Sequence, residues 1–177
     1  MNKLVVIFPG IGYGMDAPLL YYADFLFETK GYDRIYIDYH QYLQDTSLTI
    51  PQRLNRLRQY ELDQLKSICW SKYDTIVFLS KSIGAVEAGW IADQLHLPVK
   101  QIFLTPIVEA MPYCTPDTTV IMGTNDRHYS AYQQHCSTNK TSTLFLPQAD
   151  HSLEIKNDAM KSIDILKTYL SFLHQLL

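Results

Sequence analysis

Ser82 stands at the centre of a small set of residues whose types and spacing suit nucleophilic chemistry. It lies in Ser80-Lys81-Ser82-Ile83-Gly84-Ala85, between a run of strand formers and a run of small residues at helical spacing. A serine on a sharp strand-to-helix turn is held clear of the sheet. Its neighbours two residues away must be small, because the turn brings their backbones together. Ser80 and Gly84 meet that demand, so the segment reads as a nucleophile elbow with serine in place of the first glycine. The plainer reading is that Ser82 only caps a helix, a role serine often takes.

A hydroxyl becomes a strong nucleophile when a base takes its proton and a third group orients that base. Both partners are expected on loops at the carboxyl ends of later strands, in the chain order serine, acid, histidine. One such loop is Gly123-Thr124-Asn125-Asp126-Arg127-His128 and the next is Pro147-Gln148-Ala149-Asp150-His151-Ser152. Asp126 is therefore the expected acid and His151 the expected base. Asp150 and Glu109 remain rival carboxylates and His128 a rival imidazole, while His40, His96, His135 and His174 read as surface residues. A helix that starts behind the serine adds free N–H groups and the positive end of its dipole. Near the chain start, Phe8-Pro9-Gly10-Ile11-Gly12-Tyr13-Gly14 offers a glycine-rich turn whose backbone can face an acyl oxygen. The N–H groups of Ile11 and Ile83 are the expected oxyanion donors, each worth about 3 to 4 kcal/mol of barrier lowering.

These loops must hang on a scaffold, and the chain supplies one by alternating short apolar runs with longer amphipathic stretches. That alternation predicts an α/β fold with a parallel sheet covered on both faces by helices. Strands are expected at residues 4–8, 34–38, 75–79, 101–104, 119–122 and 143–146. Helices are expected from about Asp16 and Pro18 to Gly31, over 51–71, and over 82–95. In the first, Leu19, Ala23, Leu26 and Phe27 form the inner side. In the second, Leu54, Leu57, Leu65 and Ile68 face inward and Arg53, Arg56 and Arg58 form a solvated face. In the third, Ala85, Ala88, Gly89 and Ala92 make a small-residue stripe that lets the helix lie close to a sheet. A last helix carries Ile163, Leu166, Leu170, Leu173 and Leu177 on one stripe.

Composition narrows the partners. At 177 residues with 47% apolar and 19% charged residues, the chain reads as one globular domain over residues 1–177. A net charge of -3 gives no basic field to gather a phosphate backbone, so nucleic acid is not an expected partner. Cys69, Cys114 and Cys136 are odd in number and widely spaced, which points to reduced thiols and no metal site. The apolar run at 4–8 is too short for a signal core or a membrane span, leaving the cytoplasm as the expected location, without membrane insertion.

Taken together, the Pro9-Gly10 loop, Ser80 to Gly84, Gly123 to Asp126 and Asp150-His151 resemble the α/β-hydrolase superfamily over nearly the whole chain. The resemblance implies a three-layer α/β/α sandwich with a six-stranded, mainly parallel sheet in the order 2-1-3-4-5-6. It implies a minimal form of the fold, without the family's extra N-terminal strands. Pro9 stands where relatives usually carry histidine, and residues 105–117, where larger relatives insert a lid, number only 13. The implied chemistry is two-step acyl transfer through an acyl-enzyme on Ser82, with a small-molecule ester or thioester as substrate and no cofactor. A lidless site would be open, with Tyr13, Met15, Ile107, Met111 and Tyr129 near it, suiting a small or extended acyl group. Two other readings stand beside it. One is a binding protein with this fold and no catalysis. The other is a Rossmann-like nucleotide-binding protein, from Gly10-Ile11-Gly12 and Asp38, although Met15 takes the place of that motif's third glycine. Homo-oligomerisation is left open.

Overall fold

Six short runs rich in Val, Ile, Leu and Phe form six parallel strands: β1 Lys3–Phe8, β2 Tyr32–Tyr36, β3 Thr75–Lys81, β4 Lys100–Leu104, β5 Thr119–Gly123 and β6 Ser142–Leu146. They join in one sheet in the order β2-β1-β3-β4-β5-β6, with every pairing parallel, as the resemblance implies. The structure is a computed structural model and describes residues 1–38 and 50–177, with the side chains at 50, 51, 53 and 54 excluded. The expectations for His40, Arg53 and Leu54 lie outside the described residues.

Among the described residues, five α-helices cover the sheet: α1 Pro18–Thr29, α2 Ile50–Leu65, α3 Gly84–Leu95, α4 Tyr129–Asn139 and α5 Ala159–Leu176. Alternation along the strands divides the core between the two faces. Val5, Ile7, Val77, Leu79 and Ile121 pack under α1 and α5 with Phe27 and Tyr169. Leu4, Val6, Phe8 and Phe78 pack under α2 and α3 with Leu57 and Ile91. Phe103, Val120 and Met122 complete that second face under α4 with Tyr132 and Cys136. No helix among the described residues is long and apolar enough to cross a membrane.

Several boundaries differ from expectation for local reasons. β2 begins two residues before the expected 34–38, because Tyr32 is buried edge-on against Phe27 at 5.0 Å and pairs with Lys3. β3 runs on through Ser80 and Lys81, which pair with Phe103 and Leu104, so a polar-looking pair ends the central strand. α2 stops at Leu65, short of Ser71. Arg58 leaves the expected solvated face, bonding Glu87 at 3.1 Å and lying 4.8 Å over the Trp90 ring. On α5 the buried positions are Tyr169 and Leu173, while Ile163 is 56% exposed, at an open groove it lines with Tyr22, Phe25 and Leu26 of α1. α4 lacks an apolar stripe and was not expected; only Tyr132 and Cys136, one turn apart, are buried.

Candidate active site

The turn that ends β3 is tight and strained. Ser82 has a φ of 56°, in the left-handed region that costs most residues about 1 to 3 kcal/mol. Its N–H donates to the Leu104 carbonyl at 3.0 Å, and α3 starts two residues later than the expected Ser82 because that φ is not helical. A Cβ on Gly84 would lie 2.4 Å from the Phe8 carbonyl oxygen, so only glycine lets α3 start this close to the end of β1. Ser80 lies inside β3 and does not take a positive φ, so serine serves where the motif has glycine. Further along α3, Gly89 seats the Tyr113 ring, giving the small-residue stripe a second use: a Cβ there would sit 2.2 Å from Tyr113 Cγ.

The two later loops are fastened to each other. Gly123 ends β5 directly beneath the loop after β6, where a Cβ would lie 2.0 Å from the Ala149 carbonyl oxygen. Thr124 N–H donates to Leu146 at 2.9 Å, Asn125 N–H to Ala149 at 2.9 Å, and Gln148 N–H to the Thr124 hydroxyl at 2.9 Å. Leu153, buried and at a φ of 57°, anchors the second loop in the core. Asp126 and His151 are thereby brought to one place from elements that are far apart in sequence.

There Ser82, His151 and Asp126 form a continuous chain. His151 Nε2 lies 2.9 Å from Ser82 Oγ, and Nδ1 lies 2.7 Å from Asp126 Oδ2. The other oxygen, Oδ1, accepts the His128 N–H at 2.9 Å. Burial pushes the Asp126 carboxyl up, but the His151 and His128 hydrogen bonds outweigh it and hold the group below the ordinary aspartate range. An ionised carboxylate only accepts, so Nδ1 must carry the proton and Nε2 is left to accept from the serine hydroxyl. The arrangement can therefore draw a proton from Ser82 and stabilise the imidazolium that results.

The rival residues have other tasks. Asp150 Oδ1 accepts the Ser152 and Glu154 N–H groups at 2.8 and 3.1 Å, shaping the turn that carries His151. Glu109 is exposed. The His128 ring stands 5.9 Å from that of His151, with its Nε2 accepting from Arg127 at 3.0 Å. Gly10 and Tyr13 exchange backbone hydrogen bonds at 3.1 and 3.2 Å, leaving Ile11 at the tip of a turn, 63% exposed. Among the described residues, the N–H groups of Ile11 and Ile83 have no acceptor.

Tyr13 and Met15 line a cavity of about 500 Å³ together with Gly10, Tyr36 and Asp38. Gly10 connects this cavity to the elbow, since a Cβ there would touch Ser82 Cβ at 3.4 Å. Ile107 offers its carbonyl to the Tyr132 hydroxyl at 3.0 Å, while Met111 and Tyr129, the first residue of α4, are partly buried against the core. Two buried polar residues escaped the sequence reading. Lys81 Nζ and Thr105 Oγ1 both donate to the His151 carbonyl, each at 2.9 Å. The one available signal was a lysine set directly before the candidate nucleophile.

No protein-family model and no curated protein matches the chain. Solved structures do match it. A protein assigned to the alpha/beta hydrolase superfamily from Xanthomonas campestris is 15% identical with a TM-score of 0.68, covering 100% of both chains. Est1E from Butyrivibrio proteoclasticus, with ferulic acid bound, is 11% identical with a TM-score of 0.67, over 99% of this chain and 89% of that one. Mouse alpha/beta hydrolase domain-containing protein 10 is 11% identical with a TM-score of 0.63, over 98% and 90%. At these identities the likeness is one of fold.

Proposed function

We propose that this chain, which has the α/β-hydrolase fold, is a serine hydrolase that cleaves a small or extended acyl ester or thioester. The observation that supports this most is the unbroken chain of hydrogen bonds from Ser82 through His151 to Asp126, starting at a strained elbow. His151 Nε2 takes the hydroxyl proton as Ser82 Oγ bonds to the carbonyl carbon. The tetrahedral oxyanion faces the N–H groups of Ile11 and Ile83. The imidazolium then gives its proton to the leaving oxygen or sulfur, and an acyl-enzyme remains. Water, deprotonated by the same imidazole, attacks the acyl carbon and releases the acid and free Ser82. Asp126 fixes the tautomer and the ring orientation throughout. An ester or thioester suits an open site better than an amide, whose poorer leaving group needs closer positioning.

Turnover of p-nitrophenyl acetate tests the assignment. Wild type should hydrolyse it, and both His151→Ala and Asp126→Ala should lose at least about a hundredfold in kcat while remaining folded. Retained turnover in both variants would refute the roles given to these two residues.

A further inference from the structure

We infer that Lys81 is a positioning residue for the proton transfer proposed above: with Thr105 it holds the main-chain carbonyl of His151 and so sets the imidazole between Asp126 and Ser82. The inference rests on the serine-hydrolase reading and adds to it a residue that never touches the substrate.

Lysine is almost never fully buried without a partner for its charge. Lys81 is 1% exposed, inside β3 and directly before the nucleophile. Among the described residues no carboxylate lies within 4.0 Å of Nζ, so no direct ion pair accounts for it. Its hydrogen bond goes instead to the His151 carbonyl at 2.9 Å, and the Tyr13 ring lies 4.9 Å away on another side. Thr105, also buried and held at a φ of 41°, donates to the same oxygen at 2.9 Å. A carbonyl has two lone pairs, and here both are taken. The peptide of His151 is thus fixed from below, by β3 and the end of β4, independently of the ring contacts above. Tyr13 is tied in turn to α1, because its hydroxyl accepts the Leu19 N–H at 3.2 Å. One ammonium therefore joins the elbow strand, the base loop and the glycine turn.

The charge makes the tie pH-dependent. Burial lowers the Lys81 pKa to about 8, with Asp126 and Asp150 pulling it partly back. The titratable groups that face it are Asp126, Asp150, His151 and Tyr13. Asp126 is held below the ordinary range and burial pushes Tyr13 up to about 12, so neither changes charge in the window where Lys81 does. Loss of the proton leaves a neutral amine and a hydrogen bond without charge assistance, roughly half as strong.

The test is the rate of Ser82 labelling by a fluorophosphonate, together with kcat and KM for p-nitrophenyl acetate, across the pH range on either side of the Lys81 pKa. Wild type should lose rate with an alkaline limb at about 8. Lys81→Met should lower kcat at neutral pH by about tenfold or more, change KM less than about twofold, and abolish that limb. Thr105→Val should lower kcat by a smaller factor and keep the limb. A folded Lys81→Met variant with wild-type kcat and the same alkaline limb overturns the inference and leaves the hydrolase reading intact. Should that variant fail to fold, a flat wild-type profile through the Lys81 window overturns it equally. A folded wild type that is neither labelled nor active overturns both.

Discussion

Asp126 and Glu61 are both carboxyl groups shut away from water, yet their surroundings drive them in opposite directions. Asp126, on the loop after β5, accepts from the His151 ring and the His128 N–H and stays below the ordinary aspartate range despite its burial. Glu61, on α2, is 0% exposed and lies beside Glu87 of α3, with neither of its carboxyl oxygens hydrogen-bonded among the described residues. The guanidinium of Arg58, beside this pair, is bonded to Glu87 at 3.1 Å. Burial and the Glu87 charge raise Glu61 to about 9, so at neutral pH it is an uncharged acid beside Glu87. Burial raises Glu87 as well, against the pull of Arg58. The difference lies in the donors. Rigid loops aim N–H groups at Asp126 and keep a negative charge ready beside an imidazole, whereas the contact between α2 and α3, with no donor for Glu61, tolerates that acid only in its protonated form.

The contrast can be broken at either end. The largest effect should come from Asp126→Asn, which keeps the shape but reverses the donor sense at His151 Nδ1. Loss of about 10³ to 10⁴ in kcat with an unchanged circular dichroism spectrum is expected. Gly123→Ala should come next. Its Cβ would collide with the Ala149 carbonyl, forcing apart the loops that deliver Asp126 and His151. A stability loss of about 3 kcal/mol or more in chemical denaturation is expected, with loss of turnover.

Glu61→Gln should do the reverse. It removes the need to bind a proton while keeping the side chain's shape. A gain of about 2 to 3 kcal/mol at neutral pH is expected, with kcat unchanged. The sign follows from proton linkage. The folded chain binds one proton more than the unfolded chain between the ordinary value of 4.5 and the raised value of about 9. The contribution of Glu61 to stability is therefore full below that window and declines as pH rises through it. Denaturation curves at several pH values should show this slope in wild type and lose it in Glu61→Gln. A variant that is less stable at neutral pH would contradict the account of Glu61 as a buried, protonated acid.

Much of this was legible in the residues, for identifiable reasons. The elbow could be read because its demand for small neighbours is local to Ser80 and Gly84, and the loop order could be read because parallel strands deliver their carboxyl ends to one edge. Lys81 could not, since its burial depends on which three loops converge over it. α4 gave no periodic signal because it rests on only two buried side chains. The α5 stripe gave the inward angle of the helix but not the open groove left beside α1, so Ile163 was misplaced. Arg58 looked like one more surface arginine because its partner, Glu87, lies on a different helix.

The central claim is that Ser82 is an activated nucleophile, and a fluorophosphonate reports this directly through the intact mass and peptide map of the labelled protein. A single adduct on Ser82, absent from Ser82→Ala, is the expected result. A folded wild type that takes no adduct, or one whose adduct persists in Ser82→Ala, would contradict it.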